Sequence, residues 1–261
     1  LFAAVAADLT HARMWPDDIL QIVALMQRLV TRGIRSDWAT GREPLVSSAA
    51  SLAPAGESDD YLVAGRQKCA ALSLLERWKY GHQLFALANR NASALLREAR
   101  EALAAGDYVR ASALVNVAAE EVAAITSTMN YAAAMSSEQY QSAVRPTMSP
   151  PCTPTELTGS MNLDHRSYRD ALEQFLADCK ATFADTQTQF GDLAHARERL
   201  LQADLQDITC HVDLTYRLVG AVSALDERED GSAVQALRSR LLDRTQRYSE
   251  LLRLGSRTLR L

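Results

Sequence analysis

The chain of 261 residues, 48% hydrophobic and 23% charged, is long enough to bury a substantial core in one domain. A net charge of -4, with no Lys/Arg-dense segment carrying interleaved aromatics, leaves no electrostatic case for nucleic acid. No apolar run approaches the ~20 residues of a membrane helix. None of the four cysteines, Cys69, Cys152, Cys179 and Cys210, forms a Cys-x-x-Cys pair, so zinc-site and dithiol chemistry lack support.

The opening Leu1 to Ala7 is apolar but lacks a basic flank and is followed at once by Asp8, a poor secretory signal. Together with thiols expected to be reduced and buried, this predicts a cytoplasmic protein. Residues 17–32 predict a helix: Asp17-Asp18 stand at its start, Ile19, Ile22, Val23, Met26, Leu29 and Val30 form an apolar stripe, and Gly33 marks its end. Residues 36–60 break the periodicity with Gly41, Pro44, Pro54 and Gly56 and predict a covering loop. A long helix is expected over 61–105, ended by Gly106-Asp107, and another from Tyr108 to Ala124 or on to Tyr131. A short helix opens at Ser136-Ser137-Glu138 and stops at Arg145, because proline disfavours helix in the residue before it. Residues 145–164, with Pro146, Pro150, Pro151, Pro154 and Gly159, predict a stiff loop able to wall a pocket. Helices follow over 165–190, 193–222 and 232–254. No strand alternation or repeat interrupts this pattern. The expected fold is all-α, a bundle of long antiparallel helices. The expected domain is single, with 1–60 as an N-terminal helix and covering loop and 61–261 as the core.

Two histidines stand apart. His211 lies among Cys210, Val212, Leu214, Leu218 and Val219 in a long helix, and a helix gives an imidazole the fixed direction that an axial haem ligand needs. His82, flanked by Gly81 and Gln83 and close to Phe85, suits a distal position beside bound oxygen or peroxide, where it moves a proton. No Cys-x-x-Cys-His signature is present, so the haem is expected to be non-covalent. His11, His165 and His195 read as terminal, capping or surface, and charged-face residues. Arg217 is either a partner for a haem propionate or an ion pair with Asp213 at i,i+4 spacing. Arg145, at a helix end facing the proline-rich loop, is placed to clamp a carboxylate. A hydrolase elbow Gly-x-Ser-x-Gly, a Gly-rich phosphate loop and the Glu-x-x-His repeats of a di-iron bundle are all missing.

These runs carry a resemblance. His82-Gln83-Leu84-Phe85-Ala86-Leu87 resembles the distal His-Gln-x-Tyr-x-Leu helix of the tryptophan 2,3-dioxygenase superfamily. His211-Val212, Leu214, Arg217, Val219 and Gly220 resemble its proximal His-Val-x-Met-x-x-Arg-x-Ile-Gly helix. Val144-Arg145 followed by Met148-Ser149-Pro150 matches the spacing of its Phe-Arg and Leu-Ser-Pro segments, and Gly231-Ser232 with Leu237-Arg238-Ser239 is similar to its last motif. The family's Gly-Thr-Gly-Gly loop is replaced by Ala224 to Asp230, and its Phe-Gln-Ser by the proline-rich Pro150-Pro151-Cys152-Thr153-Pro154. The resemblance is therefore to the divergent branch, the haem-dependent aromatic oxygenases of natural-product pathways. A His-x-x-x-Cys thioether attachment, found in one member type, has Thr215 in place of the cysteine.

The resemblance implies haem b with His211 as proximal iron ligand, Arg217 on the haem side, and His82 as distal acid–base. It implies that Arg145, with Phe85 and Ser149, binds an aromatic amino acid. The expected reaction is hydroxylation of the L-tyrosine ring beside the phenol, to a 3,4-dihydroxyphenylalanine-type product, with hydrogen peroxide or dioxygen as oxidant. A tryptophan or indole oxygenase is the alternative within the class; a haem-free helical interaction protein is the alternative outside it. A homo-oligomer is expected, with no nucleic-acid or membrane partner.

Overall fold

The computed structural model describes residues 1–9, 11–12, 14–40, 72–154, 162–185, 191–219 and 233–258, and every regular element among them is helical. In chain order they are α1 (Phe2–Leu9), α2 (Pro16–Thr40), α3 (Leu74–Ala104), α4 (Tyr108–Ala132), the single turn α5 (Ser137–Gln139), α6 (Leu163–Asp185), α7 (Gly191–Val219) and α8 (Ala233–Thr258). The all-α expectation holds. No helix among the described residues is long and apolar enough to cross a membrane.

Several boundaries differ from the sequence pattern. Helix α2 runs through Gly33 to Thr40, since one glycine costs a helix only about 1 kcal/mol. Helix α3 starts at Leu74, and the expected helix over 61–71 lies outside the described residues. Ser73 caps it: its hydroxyl accepts the Glu76 N–H, and the Glu76 carboxylate accepts the Ser73 N–H. The expected covering loop from residue 41 on, Cys69, and the motif residues Gly220 and Gly231-Ser232 lie outside the described residues. The segment expected to be irregular from Arg145 begins as helix. A π turn, Tyr140–Val144, passes directly into a 3-10 turn, Arg145–Met148, with Pro146 in its first turn, where no N–H is needed. Of the thiols expected to be buried, Cys179 is buried, Cys210 half-buried and Cys152 exposed.

Helix α4 is the centre of the bundle. Its Ala111, Val115, Ala118, Val122 and Ala124 are fully buried, and it packs between α3 and α7 with α2 alongside. Small residues permit this closeness. A Cβ on Gly81 would stand 2.5 Å from the Ala132 Cβ, so only glycine lets α3 approach the end of α4 here. Consecutive helices α3 and α4, joined across Gly106, run antiparallel, but not all neighbours do. Contacts from α4 to α7 advance together, Asn116 to Arg199, Thr126 to Asp207 and Ala133 to Arg217. Those from α3 to α6 do the same, Asn89 to His165 and Arg100 to Asp178. These two pairs are parallel. The starts of α3 and α6 therefore share one end of the bundle with the ends of α4 and α7.

Candidate active site at one end of the bundle

Three imidazoles meet at that end. His82 and Phe85 sit on the face of α3 that also carries Trp78 and Asn89, following the i,i+3,i+4 spacing that aligns side chains along a helix. The Trp78 and His82 rings are 4.2 Å apart, Phe85 lies 6.5 Å from His82, and His165 of α6 lies 5.8 Å from Phe85. His211 of α7 completes the group, close enough to His82 and His165 for their charges to interact.

Hydrogen bonds assign two of the tautomers. His82 Nδ1 lies 2.8 Å from the Trp78 carbonyl. A carbonyl only accepts, so Nδ1 carries the proton and Nε2 keeps its lone pair. Asn89 donates its amide to the Phe85 carbonyl at 2.8 Å, which turns its Oδ1 toward His165 Nδ1 at 3.1 Å. His165 is thus also protonated on Nδ1. The His211 ring has no hydrogen bond among the described residues. Burial pushes His211 down to about 4, and His82, Arg244 and Arg240 push the same way. Burial likewise takes His165 to about 4, aided by Arg244 and Arg169 and resisted by Asp204. His82 is lowered by burial, partly offset by its bond to Trp78. All three are neutral at pH 7, the form that binds a metal or takes up a proton.

His165 was expected at a cap or the surface. Its signal was present in the sequence: it precedes Tyr168 and Leu172 by three and seven residues, extending the apolar stripe of α6. His11 and His195 are exposed, as expected, with His195 Nδ1 bonded to the Gly191 carbonyl of its own helix. Trp78, four residues before His82, shares its helix face. It links the histidines to Tyr140, 5.5 Å from it, and Tyr140 is buried with Val144, Leu214 and Leu218 in a small second core.

The remaining expected residues are spread around this centre. Arg145 lies beyond Tyr140, with Nη1 donating to Gln141 Oε1 at 3.2 Å and its charge acting on the Tyr140 hydroxyl. Ser149 follows the 3-10 turn, and its carbonyl accepts the Cys152 N–H at 3.0 Å. Arg217 does not pair with Asp213; its Nη2 donates to the Ala133 carbonyl at 2.9 Å, tying the end of α7 to the end of α4.

On the side of His165 away from Trp78, charge is concentrated. Buried Asp204 accepts from Tyr168 (2.9 Å), Arg169 (2.8 Å), Arg244 (3.2 Å) and Tyr248 (2.6 Å). Burial works against its ionisation, but the two guanidiniums outweigh that and hold its carboxyl below the usual range. Next along α7, Asp207 is pushed up to about 7 by burial and by Asp204, while Thr126 donates a hydrogen bond to it.

No group of three or more His, Cys, Asp or Glu among the described residues is arranged to hold a bare metal ion. A haem brings its own ring nitrogens and asks the protein for an axial imidazole. A neutral His211 with no hydrogen bond among the described residues, near imidazoles whose Nε2 is unprotonated, fits that request.

No curated protein and no solved structure matches the chain. A family model described as SfmD 3-methyl-L-tyrosine peroxygenase matches residues 2–208. The match spans α1 to most of α7 and includes His82, Phe85, Arg145, Ser149 and His165, while His211 and Arg217 lie just past its end. Because that span is most of the sequence, and the histidine-lined end of the bundle falls largely within it, the chain belongs to the SfmD 3-methyl-L-tyrosine peroxygenase family.

Proposed function

We propose that the protein is a haem-dependent peroxygenase that hydroxylates the aromatic ring of L-tyrosine or a ring-methylated tyrosine in natural-product biosynthesis. The observation that carries this reading is the meeting of His82, His165 and His211, all neutral, with His211 making no hydrogen bond among the described residues. Membership of a peroxygenase family supports the reaction class and favours peroxide over dioxygen as oxidant.

Haem b supplies the activation of peroxide and the delivery of one oxygen atom to the ring. His211 would bind its iron, and the length of α7 would fix the direction of that imidazole. His82 would serve as the acid–base. Its Nδ1–H is held by the Trp78 carbonyl, so Nε2 accepts a proton from peroxide or from the phenol and later returns it. Phe85 would pack against the substrate ring. Arg145 would bind the α-carboxylate, with the backbone around Ser149 closing that side. Arg217 would act indirectly, holding the end of α7 through the Ala133 carbonyl.

The test is an absorption spectrum of protein produced with haem supplied, titrated with L-tyrosine and 3-methyl-L-tyrosine, followed by peroxide and mass analysis of the amino acid. A Soret band that moves with either amino acid, and a product heavier by one oxygen atom, are expected. A folded protein with no Soret band would overturn the haem assignment. A band that moves only with L-tryptophan would replace the substrate with an indole.

A further inference from the structure

Between α6 and α8, beside His165, lies a cavity of about 320 Å³ lined by Asn162, His165, Glu173, Asp243 and five arginines, Arg166, Arg169, Arg240, Arg244 and Arg247. That volume is at the lower end of the ~300–1,000 Å³ usual for small-molecule sites. Acids only partly balance the guanidiniums. Asp204, behind the wall, takes Arg169 and Arg244. Glu173 takes Arg247 at 3.0 Å. Arg240 has no ion pair among the described residues, yet its charge reaches His211. Asp243 is a third acid beside Asp204 and Glu173, so among the described residues three carboxylates face five guanidiniums, whose forked N–H donors line the cavity from two helices.

The architecture concentrates these arginines. Asp204 draws Arg169 from α6 and Arg244 from α8 to the same carboxylate, so both guanidiniums stay at the wall and are held in fixed directions. Planar guanidiniums so held suit a planar carboxylate, which accepts two parallel hydrogen bonds. This wall is separate from Arg145, which lies past Tyr140 and Trp78 on the other side of His82.

We propose that the arginine-lined cavity between α6 and α8 is a carboxylate-binding site serving the histidine cluster. The carboxylate belongs either to a haem propionate or to the amino acid substrate, and the proposal rests on the function proposed above. A propionate in the cavity leaves Arg145 as the substrate anchor, whereas a substrate carboxylate there takes over the role proposed for Arg145.

Arg240→Glu tests this, because Arg240 is exposed and takes no part in the Asp204 network. Arg247→Glu is a second variant on the same rim. Far-ultraviolet circular dichroism confirms folding. One arm compares the affinity of the apoprotein for haem and for haem dimethyl ester. The other compares the affinity of the haem-loaded protein for L-tyrosine and for tyramine. Wild type is expected to prefer the acid in one arm by about tenfold or more, and each variant to lose most of that preference while binding the ester or amine as before. Loss in the haem arm identifies the propionate; loss in the tyrosine arm identifies the substrate. Unchanged preference in both arms, with haem and tyrosine still bound, overturns this site and leaves the proposed function intact. A wild-type protein that binds neither haem nor tyrosine overturns both.

Discussion

Two polar groups on the same face of α7, seven residues apart, are treated in opposite ways by the fold. Asp204 is completely buried and accepts from two tyrosines and two arginines. His211 is partly buried and has no hydrogen bond among the described residues. A buried charge persists only when it is paired and hydrogen-bonded, and Asp204 meets that condition fully. An imidazole avoids the same cost by staying neutral, which leaves its lone pair unused. The difference separates a group that assembles the bundle from one that is available to something outside the chain. Asp204 ties α6, α7 and α8 into one unit, and that unit sets where His211 and His165 stand.

The sharpest way to break this comparison is to remove the carboxylate. Asp204→Ala leaves the half-buried Arg169 and Arg244 without their partner and is expected to destabilise the fold by about 3 kcal/mol, at the low end for loss of one member of a buried ion pair. Urea denaturation measures it; a loss under about 1 kcal/mol would mean that the network is solvated and does not organise the site. His211→Ala should behave in the opposite sense. Haem affinity is expected to fall at least ~100-fold, about 2.7 kcal/mol, while unfolding stability changes by no more than about 1 kcal/mol, because no hydrogen bond is lost. Intact haem loading in this variant removes the ligand assignment.

A third effect, one of pH dependence, lies between the two. Asp207 has a folded-state value of about 7, against an ordinary 3.8. As pH rises between these values, the unfolded chain gives up this proton while the folded chain keeps it, so the contribution of Asp207 to stability falls across the window and levels off above it. His165 and His211, held at about 4, act in the other direction. Below an ordinary value of 6.5 the unfolded chain binds their protons first, so their contribution falls as pH drops toward 4. Asp207→Asn is therefore expected to be more stable than the parent at pH 8 and to gain less at pH 5, read from urea midpoints at the two pH values. An equal difference at both would show that Asp207 is ionised in the fold.

Sequence periodicity was a sound guide wherever a helix buries one stripe. The elements of α3, α4, α6, α7 and α8 were legible because Leu, Val and Ala recur at helical spacing, and His82 and His211 were visible because each interrupts such a stripe. The single glycine at position 33 misled, because its local cost is small beside the continuation of a long amphipathic helix. Proline signals a stop in the sequence, yet Arg145 to Met148 is helical, because the missing N–H of Pro146 is harmless in a first turn.

Local sequence thus accounts for which segments are helical and which side of each is apolar, since those depend on propensity and on residues three or four apart. It does not contain the pairing of helices. The parallel packing of α3 with α6 and of α4 with α7 depends on contacts more than seventy residues apart in sequence, such as Asn89 with His165 and Thr126 with Asp207. That packing brings His165 to Phe85, sends Arg217 to the Ala133 carbonyl rather than to Asp213, and lets Asp204 gather arginines from two helices. Burial and charge act through space, so the protonation of the three histidines and the excess charge of the arginine cavity exist only once the bundle has closed.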